Sequence, residues 1–287
     1  MGADERPLRE PDKLGDLDDR DERPMREPDK LGDLDDRDER PLREPDKLGD
    51  LDDRDERPIR DLDAEMVRYY AARAGEYDDW YLRRGRYSHG PVNDGVWRAD
   101  LEATAAWLDR LPCRGQIVEL AAGTGWWSAA LAAKGSLSLY DAAPEPLEHA
   151  RARLAQAGRH AEFAVRDAWT EPDRRVDGLF TGFWLSHVGR DRLEEFFALV
   201  ARWLAPGGLF AFVDSRQDPE SGASDHRPPE ADVQVRRLAD GSSFQVRKVY
   251  YEPDELLAAL ARTGFVEARV ETTSRFFVLG SARRGRA

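Results

Sequence analysis

The chain has a single cysteine, Cys113, among 287 residues. One thiol excludes an intrachain disulfide and any thiolate cluster for a metal. The Asp, Glu and His residues show no metal-ligand spacing either, so no metal site is expected. No apolar run approaches the roughly 18 residues of a membrane-spanning helix, and the first 60 residues are too charged for a signal peptide. A soluble cytoplasmic protein without a membrane partner is expected. A basic stripe is also missing: Arg283, Arg284 and Arg286 form the only late basic cluster, which reads as a solvated end. Nucleic acid is therefore not an expected partner.

The net charge of −13 is concentrated at one end. Residues 6–22, 23–39 and 40–56 repeat a 17-residue unit, each copy with four basic and seven acidic residues. Residues 57–287 carry only −2, so the acidity describes the repeats and not the rest. Each unit has two prolines, a glycine and only three large apolar residues. Too little surface can be buried to offset chain entropy, so residues 1–60 are expected to be a disordered acidic tail. The unit is also too short to stack as a solenoid. The copies differ only at Leu8, Met25 and Leu42. That near-identity favours a recent in-frame duplication, or an upstream start, over an interaction tail.

Residues 61–112 have helical patterns over 62–87 and 96–111. Met66, Tyr69, Tyr70 and Arg73 fall at helical spacing, and Tyr77-Asp-Asp-Trp-Tyr81 is an aromatic cluster. From residue 113 to 287, strands and helices alternate, which predicts an α/β domain with a mostly parallel sheet and helices on both faces. Leu193, Phe196, Phe197, Val200 and Leu204 define the clearest amphipathic face, within a helix expected over 190–206. A β-hairpin is expected where 233–238 and 244–251 flank Asp240-Gly241.

The segment from Val118 to Ser128 reads VELAAGTGWWS, an apolar strand entering a glycine turn and then a helix. Gly123 and Gly125 allow a sharp turn close to a ligand, and the following helix aims free N–H groups at it. Asp141 ends the next strand sixteen residues past Gly125, where an acid suits ribose hydroxyls. Together these read as a nucleoside site. A dinucleotide fingerprint needs a third glycine at position 128, where this chain has Ser128.

The pattern Glu119-x-x-x-Gly123-x-Gly125 resembles motif I of class I S-adenosylmethionine-dependent methyltransferases. Further elements follow in that family's order. Asp141 falls at its ribose-binding acid, and Arg166-Asp167-Ala168-Trp169 follows the third strand, where the adenine is recognised. GLFTGFWLSHV (178–188) is similar to its fourth strand and active-site tip, and LAPGGLFAFVD (204–214) to its Pro-Gly-Gly turn into strand five. The resemblance covers residues 62–280 and implies a Rossmann-like, doubly wound seven-stranded sheet of order 3-2-1-4-5-7-6. It also implies an N-terminal helical cap, with Tyr69, Tyr70, Tyr77 and Tyr81 as candidate closing residues. S-adenosylmethionine is the implied cofactor, held by Glu119, Ala121, Gly123, Gly125, Asp141, Asp167, Ala168, Phe183 and Tyr77. Ala121 departs from the family, many of whose members have glycine there, and a tighter loop is expected.

The expected reaction is methyl transfer to a small molecule, at oxygen. His187, at the end of the fourth strand, is the candidate base, with an ordinary pKa near 6.5; the alternative is a packing histidine. His89 is a weaker candidate. The fourth strand lacks the Asn/Asp-Pro-Pro-aromatic ending of base-modifying amino methyltransferases, which tells against nucleic-acid adenine or glutamine side chains. Two rival readings are a nicotinamide-dependent oxidoreductase and a non-catalytic cofactor-binding scaffold with an interaction tail. They would be separated by cofactor titration and by turnover.

Overall fold

A computed structural model describes residues 62–286. The repeats, and the disorder expected of them, lie outside the described residues.

Seven strands form one sheet in the order β3-β2-β1-β4-β5-β9-β8. They are β1 (Gly115–Leu120), β2 (Gly135–Asp141), β3 (Glu162–Val165), β4 (Val176–Gly182), β5 (Leu204–Ser215), β8 (Phe265–Thr272) and β9 (Phe277–Arg284). Pairing is parallel from β3 to β5 and antiparallel at β9 and β8. The expected order is therefore met, because the hairpin β6 (Val233–Arg237) and β7 (Ser243–Arg247) forms its own two-stranded sheet.

Alternation along the strands builds a core on each face. In β5, Leu209, Ala211 and Val213 join one cluster, with Trp97, Leu131 and Leu147 of the helices α3 (Pro91–Arg110), α4 (Ser128–Ala132) and α5 (Pro144–Gln156). Phe210 and Phe212 join the other, with Phe196, Phe197 and Leu256 of α6 (Leu193–Trp203) and α7 (Pro253–Arg262). The amphipathic face expected of residues 193–204 is buried as read. The helix ends at Trp203 rather than at residue 206, because Ala205 precedes a proline and α conformation is disfavoured there. Leu204 is already extended and opens β5.

The cap is more broken than its sequence pattern suggests. The span 62–87 divides into α1 (Leu62–Arg73), α2 (Tyr77–Leu82) and a single 3₁₀ turn, Gly85–Tyr87. A left-handed Arg83 ends α2. The next helix starts at Pro91, five residues earlier than the apolar pattern indicates, since proline is well placed at a helix N-terminus. The hairpin lies on α1, where Met66 and Tyr69 pack with Leu238 and Val246.

Candidate active site

Two adjoining clefts open at the C-terminal ends of the parallel strands. The first is lined by the β1–α4 loop (Ala121, Gly123), the tips of β2 and β3 (Asp141, Asp167, Ala168), the tip of β4 (Phe183) and the cap helix residue Tyr77. The second lies under the cap, the hairpin and the loop after β5. Tyr70, Tyr77, Phe183 and His187 line both.

Backbone geometry explains the loop of the first cleft. Ala121 has φ +50 and Gly123 φ +55. Position 121 thus adopts the left-handed conformation that favours glycine, at a cost of order 1–3 kcal/mol for a residue with a Cβ. Phe183 is held at φ +60, with its N–H donating to the Val213 carbonyl at 2.7 Å. Asp141 ties the loop to β2: its carboxylate accepts the Gly123 N–H at 2.9 Å and the Ala143 N–H at 3.0 Å. Burial raises the Asp141 pKa, although these N–H bonds oppose the shift.

The cap is latched to the same loop. Thr124 donates to Asp78 of α2 at 2.7 Å, and Arg153 of α5 pairs with the other oxygen of that carboxylate. Arg153 Nε also donates to the Thr124 carbonyl at 3.0 Å.

Two of the residues expected to touch cofactor do not line the cleft. Glu119 is 2% exposed and accepts a 2.5 Å hydrogen bond from Ser128. Strand alternation puts it on the same face as Ile117, under α4, and burial raises its pKa to about 8. Gly125 is required by packing, since a Cβ there would lie 2.7 Å from that of Ala150. Both support the loop from behind.

Comparison with known proteins decides the identity. A family model described as a methyltransferase domain matches residues 117–208. The solved structure of DhpI with SAH is 31% identical, with a TM-score of 0.60, covering 79% of this chain and 98% of that one. DhpI with SAM and HEP gives 32%, a TM-score of 0.60, and 77% and 97% coverage. The chain belongs to the class I S-adenosylmethionine-dependent methyltransferases. No curated protein sequence matches it significantly. The Burkholderia thailandensis 1,6-didemethyltoxoflavin-N1-methyltransferase shares the fold at 16% identity, with a TM-score of 0.51 and 79% and 90% coverage.

The first cleft of this methyltransferase fits S-adenosylmethionine. A Cβ at Gly123 would meet no atom within 4 Å, so the loop leaves open space there. Asp141 and Asp167 offer acceptors to hydroxyl and amino groups, while Tyr77 and Phe183 present aromatic rings of the kind that suit a cationic centre.

His187 sits in the wall shared by the two clefts, on a 3₁₀ turn, Leu185–His187. Its Nδ1 lies 2.6 Å from the Arg247 carbonyl, which can only accept, so Nδ1 carries the proton. Nε2 is then the acceptor for the Tyr70 hydroxyl at 2.6 Å. Burial, helped by the charges of Lys248, Arg236 and Arg73, pushes the imidazole pKa well below 6.5. The ordinary titration expected from sequence is therefore corrected: the ring stays neutral through the physiological range.

Of the cap tyrosines, Tyr70 and Tyr77 face the clefts. Tyr69 is fully buried beside Phe244, and Tyr81 stacks on Trp126 at 4.1 Å. His89 is bonded to the Gly222 carbonyl at 2.9 Å and lines neither cleft. The sequence reading missed Arg236 and Lys248, and assigned Arg73 no chemical role. One signal was available for Lys248: only two of the five lysines lie beyond the repeats. Lys248 is 5% exposed, donates to Ser186 at 2.9 Å and stands 3.8 Å from Asp214. Burial, against the pull of Asp214, brings its pKa down to about 8.

Proposed function

We propose that this methyltransferase methylates an oxygen of a small molecule seated in the second cleft. The observation that carries this reading is the Tyr70–His187 pair in the wall common to both clefts. When bound, S-adenosylmethionine supplies an electrophilic methyl carbon on a sulfonium. Tyr70 has its proton committed to His187 Nε2, so its oxygen lone pairs are free to accept a hydrogen bond from an acceptor hydroxyl. His187 Nε2 is the atom that receives a proton if the acceptor releases one through Tyr70. Imidazolium is disfavoured by the cations around it, so that transfer needs a compensating negative charge in the cleft. Positioning by the two walls, worth about 7–11 kcal/mol in well-oriented systems, is the larger contribution.

A screen with labelled methyl donor against small hydroxylated and acidic compounds tests the reading. For an accepted substrate, His187→Ala and Tyr70→Phe should each lower kcat by about 10²-fold while SAH affinity stays within a few-fold. Product methylated at nitrogen or carbon would overturn the oxygen assignment. Unchanged kcat in both variants would remove the pair from the reaction.

A further inference from the structure

The second cleft holds more positive charge than its acids neutralise. Arg73 is 3% exposed and lines this cleft, yet its Nε and Nη2 have no hydrogen-bond partner among the described residues. Its guanidinium lies over the Tyr77 ring at 4.4 Å and near those of Tyr87 and Tyr69 at 5.5 and 5.6 Å. The rings contact the cation but give its Nε and Nη2 no hydrogen-bond acceptor. Burying a cation without a paired anion costs several kcal/mol, and an oxyanion reaching this wall would relieve that cost.

Three more cations, Arg227, Arg236 and Lys248, line the same cleft. Arg236 comes from β6, its Nε donating to Gln234 at 2.8 Å, and no acid pairs with it among the described residues. Lys248 follows β7. The acids nearby are already engaged. Asp218 in the lining binds Arg275 at 2.7 Å. Asp214 accepts the N–H groups of Ser186 and Ser215 at 2.9 and 2.7 Å as well as facing Lys248. His226 stays neutral, burial lowering its pKa to about 3.

We propose that the acceptor is a small oxyacid whose anionic group is held by Arg73, Arg236 and Lys248. This rests on the reading of the second cleft as the acceptor site. A guanidinium fork matches two oxygens of a carboxylate, phosphate, phosphonate or sulfonate. A neutral or cationic acceptor would leave Arg73 buried and unpaired. The cradle adjoins the Tyr70–His187 wall, so the anion also supplies the negative charge that makes protonation of His187 less costly.

The test uses the full-length protein saturated with SAH and titrated calorimetrically with inorganic phosphate, ethylphosphonate, propionate, propanol and propylamine. At least one oxyanion should bind, about 10-fold or more tightly than propanol and propylamine, and the ranking of the three anions identifies the acid class. Arg73→Met and Lys248→Met should each weaken anion binding by about 10-fold or more, the loss of one charge-assisted hydrogen bond, with SAH affinity within two- to three-fold. If Arg73→Met does not fold, Lys248→Met and the wild-type comparison decide. Intact SAH binding with no preference for oxyanions refutes this inference alone, as does unchanged anion affinity in the folded variants. Failure to bind SAH would instead refute the methyltransferase reading beneath it.

Discussion

Glu119→Gln separates a supporting residue from a cofactor ligand through its dependence on pH. Glu119 is 2% exposed with a pKa raised from 4.5 to about 8, burial being the main cause. In the unfolded chain it ionises near 4.5, so between pH 4.5 and about 8 unfolding releases a proton. A raised folded pKa means that the contribution is fully present below 4.5 and is lost as pH rises to about 8. At about 1.4 kcal/mol per pH unit, the window from 4.5 to about 8 amounts to roughly 5 kcal/mol. Glutamine keeps the shape and an oxygen for Ser128 but cannot ionise. Urea unfolding of both proteins should give diverging stabilities: wild type falls relative to Glu119→Gln by about 1.4 kcal/mol per pH unit between pH 5 and 8, then runs parallel to it. SAH affinity should be the same in both. Parallel stability curves across this range would show that Glu119 is ionised in the fold, and a large loss of SAH affinity would return it to the cofactor site.

Asp141→Ala should weaken SAH binding by about 1.5–3 kcal/mol, the range for a hydrogen bond to a charged group, and calorimetry showing unchanged affinity would remove Asp141 from the site. Asp78→Ala frees Thr124 and Arg153 from the cap, so SAH affinity should fall by roughly 3- to 10-fold; no change would mean the latch does not shape the bound cleft. Lys248, with its pKa lowered to about 8, loses its charge above that pH, so KM for an anionic acceptor should rise there and kcat should not. A KM flat to pH 9.5 in steady-state assays would take Lys248 out of acceptor binding.

The first cleft was legible because its residues belong to short local units. A strand, a turn and a helix N-terminus carry Ala121 and Gly123, and each following strand contributes its acid at the tip. Strand period alone also places Glu119: two residues from Ile117, it shares that face of the sheet. Gly125 likewise has a packing reason in Ala150. Nothing local marks the second cleft. Arg73 ends α1, Arg236 sits in a hairpin outside the main sheet and Lys248 follows that hairpin, 175 residues along the chain from Arg73. Only the docking of the hairpin on α1 brings them together. In an arginine-rich chain, no single arginine stood out from those on solvated faces.

This division has a chemical consequence. The first cleft is lined mainly from the strand tips, while Arg73, Arg236 and Lys248 of the second come from the cap and the hairpin region. The two sets share α1, which supplies Met66 to the first cleft, Arg73 to the second and Tyr70 to both within two turns of one helix. A substitution that tilts α1 therefore moves both clefts at once. Asp78 fixes that cap to the loop carrying Gly123 through Thr124, which ties the cap's Arg73 to the first cleft. Binding of an oxyanion against Arg73 should accordingly tighten SAH binding, and by linkage SAH should tighten the anion by the same factor. Unequal factors would be inconsistent with a closed binding cycle; factors of one in both directions would mean that the shared helix transmits nothing.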